Sequence, residues 1–387
     1  MYYFIIWFVI AICTVVNYFS QSRKNDLITY TICYLSLALT SGLRYETGTD
    51  YFAYLNIFEG SQNIMEFNFF ASYVEPSYAF LNSLFYSLGF DINIMYLTIS
   101  LITTAILLNS FKRYIGQKYY LLAVIIYYSV SYFLLDMSGV RQAIALSAFV
   151  YSIRFIIERR FWKFFFVIVI AFTFHRSAAI LLVVYPISRM HIASWLHITI
   201  LLLGIFLMIA KITLLRPILE FGSSIFLSGP LASKFLAFTT SEFFAVPRTL
   251  TVGLMIYVPI YVIAVVKRKR LERLVPYYNV ILNIFLCFIV TLFSLYESMD
   301  ISIRFSSYFT FAFALTFPLL LSLLKQDGKN LIIGFFVIFF VSVFAMRHMI
   351  LDGEPTTIMY RPYQNYILHE LGIQESDAEK RYQEIAK

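Results

Sequence analysis

The stretch LITYTICYLSLALTSGLRYETGTDYFAY, residues 27–54, joins an apolar run directly to a dense polar segment. The apolar part, Leu27 to Leu43, is long enough to cross a bilayer as a helix, because a span needs roughly 17–25 residues. The polar part, Arg44 to Tyr54, brings an arginine, a glycine turn, carboxylates and three tyrosines to the membrane surface. Such a segment suits a polar, ring-bearing, anionic substrate that is delivered at the lipid headgroups.

The composition extends the membrane interpretation to most of the chain. Of 387 residues, 60% are hydrophobic and 13% are charged, whereas soluble proteins carry roughly a quarter charged residues. We therefore predict an all-α, polytopic integral membrane domain over residues 1–350 and a short polar C-terminal tail over residues 351–387. The tail is interpreted as a solvated end, with a docking element as the alternative. The first span, Tyr2 to Phe19, is expected to be retained, because it lacks the basic start and the cleavage site of a signal peptide.

Charge bias gives the predicted orientation. Four connections between spans are strongly basic, which places them in the cytoplasm: Arg23-Lys24, Lys112-Arg113 with Lys118, Arg154 to Lys163, and Lys267 to Arg273. The first loop, Arg44 to Pro76, is the opposite, with one arginine against five carboxylates and a net charge of −4. We place this loop outside.

These anchors predict about twelve transmembrane helices, some of them short or re-entrant, with both termini and the main loops at the outer face. The apolar run Phe164 to Pro186 is interpreted as two short helices that meet at His175. Residues 77–90 are interpreted as a helix that dips into the outer leaflet, and Thr213 to Arg248 as a long outer loop suited to be a lid. The remaining spans are predicted near 2–19, 27–43, 93–110, 119–136, 141–156, 192–212, 249–266, 277–296, 304–324 and 330–349.

Several function classes are excluded by residue placement. The net charge of +8 lies in short connections, as topology requires, so nucleic acid is not an expected partner. The cysteines, Cys13, Cys33 and Cys287, fall within apolar spans, and the histidines show no paired ligand spacing. We therefore expect no metal and no cofactor.

Ionisable and polar residues gather at the predicted outer face, where such groups are costly and become functional candidates. Each also has a structural interpretation. The arginines can extend to the headgroups, or can bind a diphosphate through paired hydrogen bonds. Asp50 can cap the helix that follows or act as a base, and Glu75 can favour the start of a helix or act in catalysis. His175 can be a buried core residue or a proton carrier. The set comprises Arg44, Asp50, Glu75, Arg141, Gln142, His175, Arg176 and Arg304.

Together these residues, in this order, resemble the EpsG/Wzy family of bacterial polysaccharide polymerases. The resemblance spans roughly Met1 to Leu324. It is carried by Arg44-Tyr45-x-x-Gly48-Thr49-Asp50-Tyr51-x-x-Tyr54, Glu75-x-x-Tyr78 with Leu81-Asn82, Val140-Arg141-Gln142-Ala143-Ile144-Ala145, Phe174-His175-Arg176-Ser177-Ala178 and Arg304-Phe305-Ser306-Ser307-Tyr308.

This resemblance implies a metal-independent membrane glycosyltransferase of O-antigen, capsule or exopolysaccharide synthesis. It would act in the bacterial cytoplasmic membrane with its active site facing outward. The growing glycan would pass from undecaprenyl diphosphate to the non-reducing end of a new lipid-linked oligosaccharide unit. The expected partners are this lipid-linked substrate, membrane lipids and a chain-length regulator protein.

The residues then take expected roles. Arg44, Arg141 and Arg304 would neutralise the leaving diphosphate, and one of Asp50, Glu75 and His175 would deprotonate the acceptor hydroxyl. Retaining and inverting chemistry both remain open. The residues expected to bind substrate are Arg44, Tyr45, Gly48, Tyr51, Tyr54, Tyr78, Arg141, Gln142, Arg176 and Arg304.

Rival classes predict different polar patterns. A flippase for the same lipid-linked oligosaccharide, the main alternative, should carry polar residues through the bilayer midplane. Here the mid-span positions are largely Ile, Leu, Phe and Val. A membrane acyltransferase would need a histidine that cytoplasmic acyl-CoA can reach, and His175 lies on the other side in the predicted topology. Another lipid-linked glycan transferase is the remaining alternative.

Overall fold

The computed structural model describes residues 1–20, 22–69, 74–214, 216–217, 247, 252–325, 327–346, 358–377 and 381. Within these ranges the chain is all-α and forms no strand, which confirms the predicted class. The predicted lid, Thr213 to Arg248, lies almost entirely outside the described residues. Two compact units are present, one formed by Met1–Ala179 with Leu324–Lys387 and one by Ile180–Leu323.

The helices are numbered in chain order. In the first unit they are α1 (Tyr2–Ser20), α2 (Arg23–Gly42), α3 (Tyr51–Glu59), α4 (Pro76–Ser87), α5 (Ile92–Tyr127), α6 (Phe133–Leu135), α7 (Val140–Ile157), α8 (Phe161–Phe174), α16 (Gly328–Ala345) and α17 (Tyr366–Glu370). In the second unit they are α9 (Leu181–Arg189), α10 (Ser194–Ile209), α11 (Val252–Val266), α12 (Arg268–Leu274), α13 (Tyr278–Ser294), α14 (Met299–Ser306) and α15 (Thr310–Leu319).

Several of these helices have the length and hydropathy of membrane spans, so the protein is a membrane protein. Among the described residues, four segments qualify, or five if a pair bent by 56° counts as one span. The four are Tyr2–Ser20, Ile92–Leu135, Val140–Ile157 and Gly328–Ala345, and the bent pair is Met299–Ser306 with Thr310–Leu323. Shorter apolar helices accompany them, and the count of about twelve crossings stays a prediction.

Gly116 divides α5 into two halves that run in opposite directions. Its φ of 78° breaks the helical backbone, a conformation that glycine adopts without steric cost. On one side of the break Lys112 pairs with Asp26, and on the other the Tyr120 hydroxyl donates to the same carboxylate at 3.1 Å. Farther from the break both sides also meet the other end of α2, where the Ser100 hydroxyl donates to the Ala38 carbonyl at 2.9 Å and the Tyr132 hydroxyl donates to the Leu37 carbonyl at 2.6 Å. The chain therefore reverses at Gly116.

The described part of the C-terminal tail packs against the first loop of the same chain. The backbone N–H of Tyr45 donates to the Gln364 carbonyl at 2.9 Å, and that of Tyr366 donates to the Leu43 carbonyl at 2.8 Å. The guanidinium of Arg381 donates to the Glu46 carbonyl at 3.1 Å. Buried N–H and C=O groups of the loop are thus paired by the tail.

The N-terminal end of α1 lies at the same place. The Tyr3 hydroxyl donates to the Tyr360 carbonyl at 2.9 Å, and the rings of Tyr2 and Tyr363 stack with centroids 4.1 Å apart. The start of the chain, the first loop and the tail therefore share one end of the first unit.

Gly48 is fixed by a close approach as well as by its backbone angle. Its φ is 107°, and a Cβ there would lie 2.2 Å from the carbonyl oxygen of Met137. Gly116 also has positive φ, but a Cβ there would meet nothing within 4 Å. We expect Gly116→Ala to lower the free energy of unfolding by about 1–3 kcal/mol, because a φ of 78° with a ψ of 168° is a backbone conformation essentially confined to glycine. Gly48→Ala should lower it further, because the backbone around Met137 must also move. Thermal unfolding in detergent measures both, and equal losses would contradict the role of the close approach.

Candidate active site at the ends of α4, α7 and α8

A partly buried ion pair lies where α4 begins and α8 ends, with the Arg141 side chain 25% exposed and the Glu75 side chain 10% exposed. Pro76 is the first residue of α4, so Glu75 occupies the N-cap position. Its Oε2 lies 2.5 Å from Nη1 of Arg141, in the first turn of α7. Its Oε1 lies 3.5 Å from Nδ1 of His175 and accepts from the backbone N–H of Arg176 at 3.4 Å. The structure therefore brings together four residues that the sequence singled out separately.

Two tyrosines surround the arginine of this cluster. The Nε of Arg141 donates to the Tyr54 hydroxyl at 3.4 Å. Its guanidinium carbon lies 5.2 Å from the centroid of the Tyr54 ring and 5.9 Å from that of Tyr78, within the range of cation–π attraction. The Tyr54 and Tyr78 rings are fully buried, and Gln142 beside Arg141 is also buried. These rings fix the guanidinium in place.

The electrostatics of Glu75 decide its protonation state. Burial acts to raise its pKa, but the His175 side chain and the positive charge of Arg141 outweigh this effect and lower the pKa to about 2. Glu75 is therefore ionised at neutral pH and is a poor proton acceptor. An ionised carboxylate whose Oε1 lies 3.5 Å from the Nδ1 of His175 instead suits a positioning role.

Asp50 occupies the N-cap position of α3, as its structural interpretation predicted, but its carboxylate caps nothing. The side chain makes no cap hydrogen bond and instead accepts from the hydroxyl of Thr49 at 3.0 Å. Burial raises the pKa of the neighbouring Tyr54, and the charge of Asp50 adds to this effect. The carboxylate thus lies near the cluster without taking part in its ion pair.

Arg44 points inward, away from the surface at which a substrate was expected to meet it. It is 1% exposed, lies 4.0 Å over the Tyr96 ring and donates to the Ser41 carbonyl. Its Nε and Nη2 have no hydrogen-bond partner among the described residues. A small cavity beside it is lined by Asp136. The buried carboxylate of Asp136 therefore faces the charge of Arg44, a role that was missed although an aspartate closes an apolar run there.

The remaining predicted residues have varied surroundings. Tyr51 donates from its hydroxyl to Asn93 at 2.9 Å, and Tyr45 stacks on His369 of the tail with centroids 4.0 Å apart. Gly48 packs on Met137. Arg176 is exposed beside the cluster. Arg304 lies in the second unit, where its Nε is 3.0 Å from the Asp300 carboxylate.

Two features of the site were absent from the sequence predictions. The hydroxyl of Ser77 donates to that of Thr173 at 2.7 Å and joins α4 to α8 beside Glu75. The hydroxyl of Tyr360, in the tail, donates to the Phe133 carbonyl at 2.9 Å and hydrogen-bonds Ser138. No local pattern marks either contact, because each joins residues far apart in the chain.

Comparison with known proteins gives one match. A family model described as the EpsG family matches residues 27–365. The match ends at Asn365, which forms an isolated β-bridge with Arg44. It therefore includes Gln364, whose carbonyl accepts from Tyr45, but not the tail contacts made by Tyr366 and Arg381. No curated protein and no solved structure matches.

Proposed function

This chain belongs to the EpsG family, a Wzy-like family of polysaccharide polymerases, and we propose that it joins oligosaccharide units carried on undecaprenyl diphosphate. The reaction would occur at the outer face of the bacterial cytoplasmic membrane. The partly buried cluster of Glu75, Arg141 and His175 is the observation that carries this proposal, because it pairs a histidine base with an ionised carboxylate and cations for a diphosphate. The first loop, residues 44–76, carries a single arginine and no lysine, and this scarcity of positive charge supports the outward orientation.

In this proposal His175 is the base and Glu75 positions it. The acceptor hydroxyl of the new lipid-linked unit attacks the anomeric carbon of the growing glycan. An oxygen–carbon bond forms there while the bond from that carbon to the diphosphate oxygen breaks, and its electron pair leaves with undecaprenyl diphosphate. The proton of the acceptor hydroxyl passes to the His175 ring, whose positive charge Glu75 stabilises.

Arg141 and Arg176 are the proposed diphosphate contacts. Arg141 is held by Tyr54 and Tyr78, and Arg176 is exposed next to His175. Glu75 neutralises one of the two positive charges, so Arg141 and Arg176 together leave a net positive charge that favours an anion. Cations fixed where charge develops on a leaving group are a major source of rate enhancement. Arg44, buried against Tyr96, would act through the packing of the first loop.

The direct test is polymerisation by the purified protein. Lipid-linked repeat units, supplied without nucleotide sugar or divalent metal, should yield a ladder of glycans on a gel. Undecaprenyl diphosphate should be released in step with each bond formed. Folded protein that forms no ladder, but moves the intact lipid-linked units across liposome membranes, would contradict the proposal and favour a flippase.

A further inference from the structure

A cleft lies on the first unit, separate from the ion pair but sharing helix α4 with it. Its volume is about 450 Å³, within the usual range for small-molecule sites. It lies between the end of α3, the start of the loop that follows, and α4. The lining residues are Asn56, Ile57, Gly60, Ser61, Gln62, Phe67, Asn68, Val74, Ala79 and Ser83.

The chemistry of this lining is polar and uncharged. Three amides and two hydroxyls line the cleft beside an aromatic ring, and none of the lining residues named above is charged. An amide both donates and accepts hydrogen bonds, which matches a ligand with many hydroxyl groups. A diphosphate, by contrast, needs cations or a row of backbone N–H donors. The cleft therefore fits sugar rings better than the anionic part of a lipid carrier.

Two of the amides are open to such a ligand. Asn56 and Gln62 are exposed, and no side-chain hydrogen bond of either is found among the described residues. Phe67 is held by the Phe80 ring, with centroids 5.7 Å apart in an edge-to-face arrangement. An aromatic ring fixed in this way offers a stable apolar surface next to the hydrogen-bonding groups.

The position of the cleft relates it to the candidate active site. Glu75 occupies the N-cap position of α4, and the lining residues Ala79 and Ser83 follow it on the same helix. At 1.5 Å per residue they lie about 6 Å and about 12 Å along the axis from Glu75. On α3, Tyr54 contacts Arg141 while Asn56 lines the cleft. A glycan with one end at the ion pair would reach the cleft with its next sugars.

We propose that this cleft is a saccharide-binding subsite for uncharged sugar residues of the glycan, a proposal that rests on the function proposed above. It would hold sugars beyond the reacting bond and so retain the glycan between successive additions. Binding in the cleft and chemistry at His175 would then be separable by mutation.

The test uses short, lipid-free glycan fragments from partial hydrolysis of the polymer made by cells that express the protein. Calorimetric titration should show binding to the wild type and to the control Glu59→Ala, which alters an exposed residue of α3 outside the cleft. The double variant Asn56→Ala/Gln62→Ala should bind about tenfold more weakly, because it loses the hydrogen bonds of two amide side chains to the ligand. Its ladder should also be shorter.

Other results separate this subsite from the proposed function. If the wild type forms no ladder but binds fragments, and the double variant weakens that binding, the subsite is supported and the polymerase function is overturned. If the wild type forms a normal ladder and the double variant binds fragments as tightly as the wild type, the subsite alone is overturned. Competition by inorganic pyrophosphate at the cleft, without competition by glycan fragments, would also overturn it.

Discussion

His175→Ala should reduce polymerisation by about 10²–10⁴-fold, the usual contribution of a positioned general base. The product should collapse to single repeat units while the amount of folded protein stays the same. The physical reason is that Glu75 is ionised and paired with Arg141, so the remaining carboxylate of the cluster is a poor substitute for the lost ring. The initial rate of ladder formation measures the effect.

His191→Ala is the matched control for this prediction. His191 lies in the second unit and is exposed, so its removal should leave the ladder unchanged. A pH profile adds a second readout. If Glu75 itself were the base, its pKa of about 2 would make the rate nearly independent of pH from mildly acidic to neutral conditions. A flat profile together with an active His175→Ala variant would refute the assignment.

The sequence predicted the membrane class and most helices because both depend on local composition and length. The break at His175 is present, since α8 ends at Phe174, and the turn at Gly116 follows from a basic, glycine-containing connection. The individual residues of the candidate site were named from the sequence, but their arrangement in space was not. Nothing in the spacing of Glu75, Arg141 and His175 shows that the three side chains meet, because that contact depends on how α4, α7 and α8 pack.

The tail and Arg44 show a second kind of difficulty. A polar, charged segment after an apolar domain usually remains in solvent, yet residues 358–377 dock onto the first loop through backbone hydrogen bonds. Backbone hydrogen bonds do not depend on the identity of the side chains, so no sequence pattern predicts them. Arg44 was expected to face substrate, because an arginine after an apolar run normally extends to the interface. The buried carboxylate of Asp136 and the Tyr96 ring give it an inward alternative.

Arg141→Gln should reduce polymerisation by about 10²–10³-fold, the typical cost of losing one fixed electrostatic group at a developing charge. It should also destabilise the fold, because Glu75, with a side chain that is 10% exposed, would lose its cationic partner. The double variant Arg141→Gln/Glu75→Gln should recover stability, since it removes the unpaired charge, but should stay inactive. This difference separates the role in the fold from the role in the reaction.

The pH dependence of stability gives an independent check on the same ion pair. The pKa of Glu75 is lowered from 4.5 to about 2 in the folded protein, so its stabilising contribution is complete above the unfolded value and is lost as pH falls through about 2. Thermal unfolding of the wild type in detergent should therefore show a loss of stability over this acid range that the double variant lacks.

In Arg141→Gln the pKa of Glu75 should rise, because burial opposes ionisation and the cationic partner is gone. The stability difference between this variant and the wild type should then shrink as acid protonates the carboxyl group in both. A difference that stays constant across the acid range would show that Glu75 and Arg141 are not electrostatically coupled.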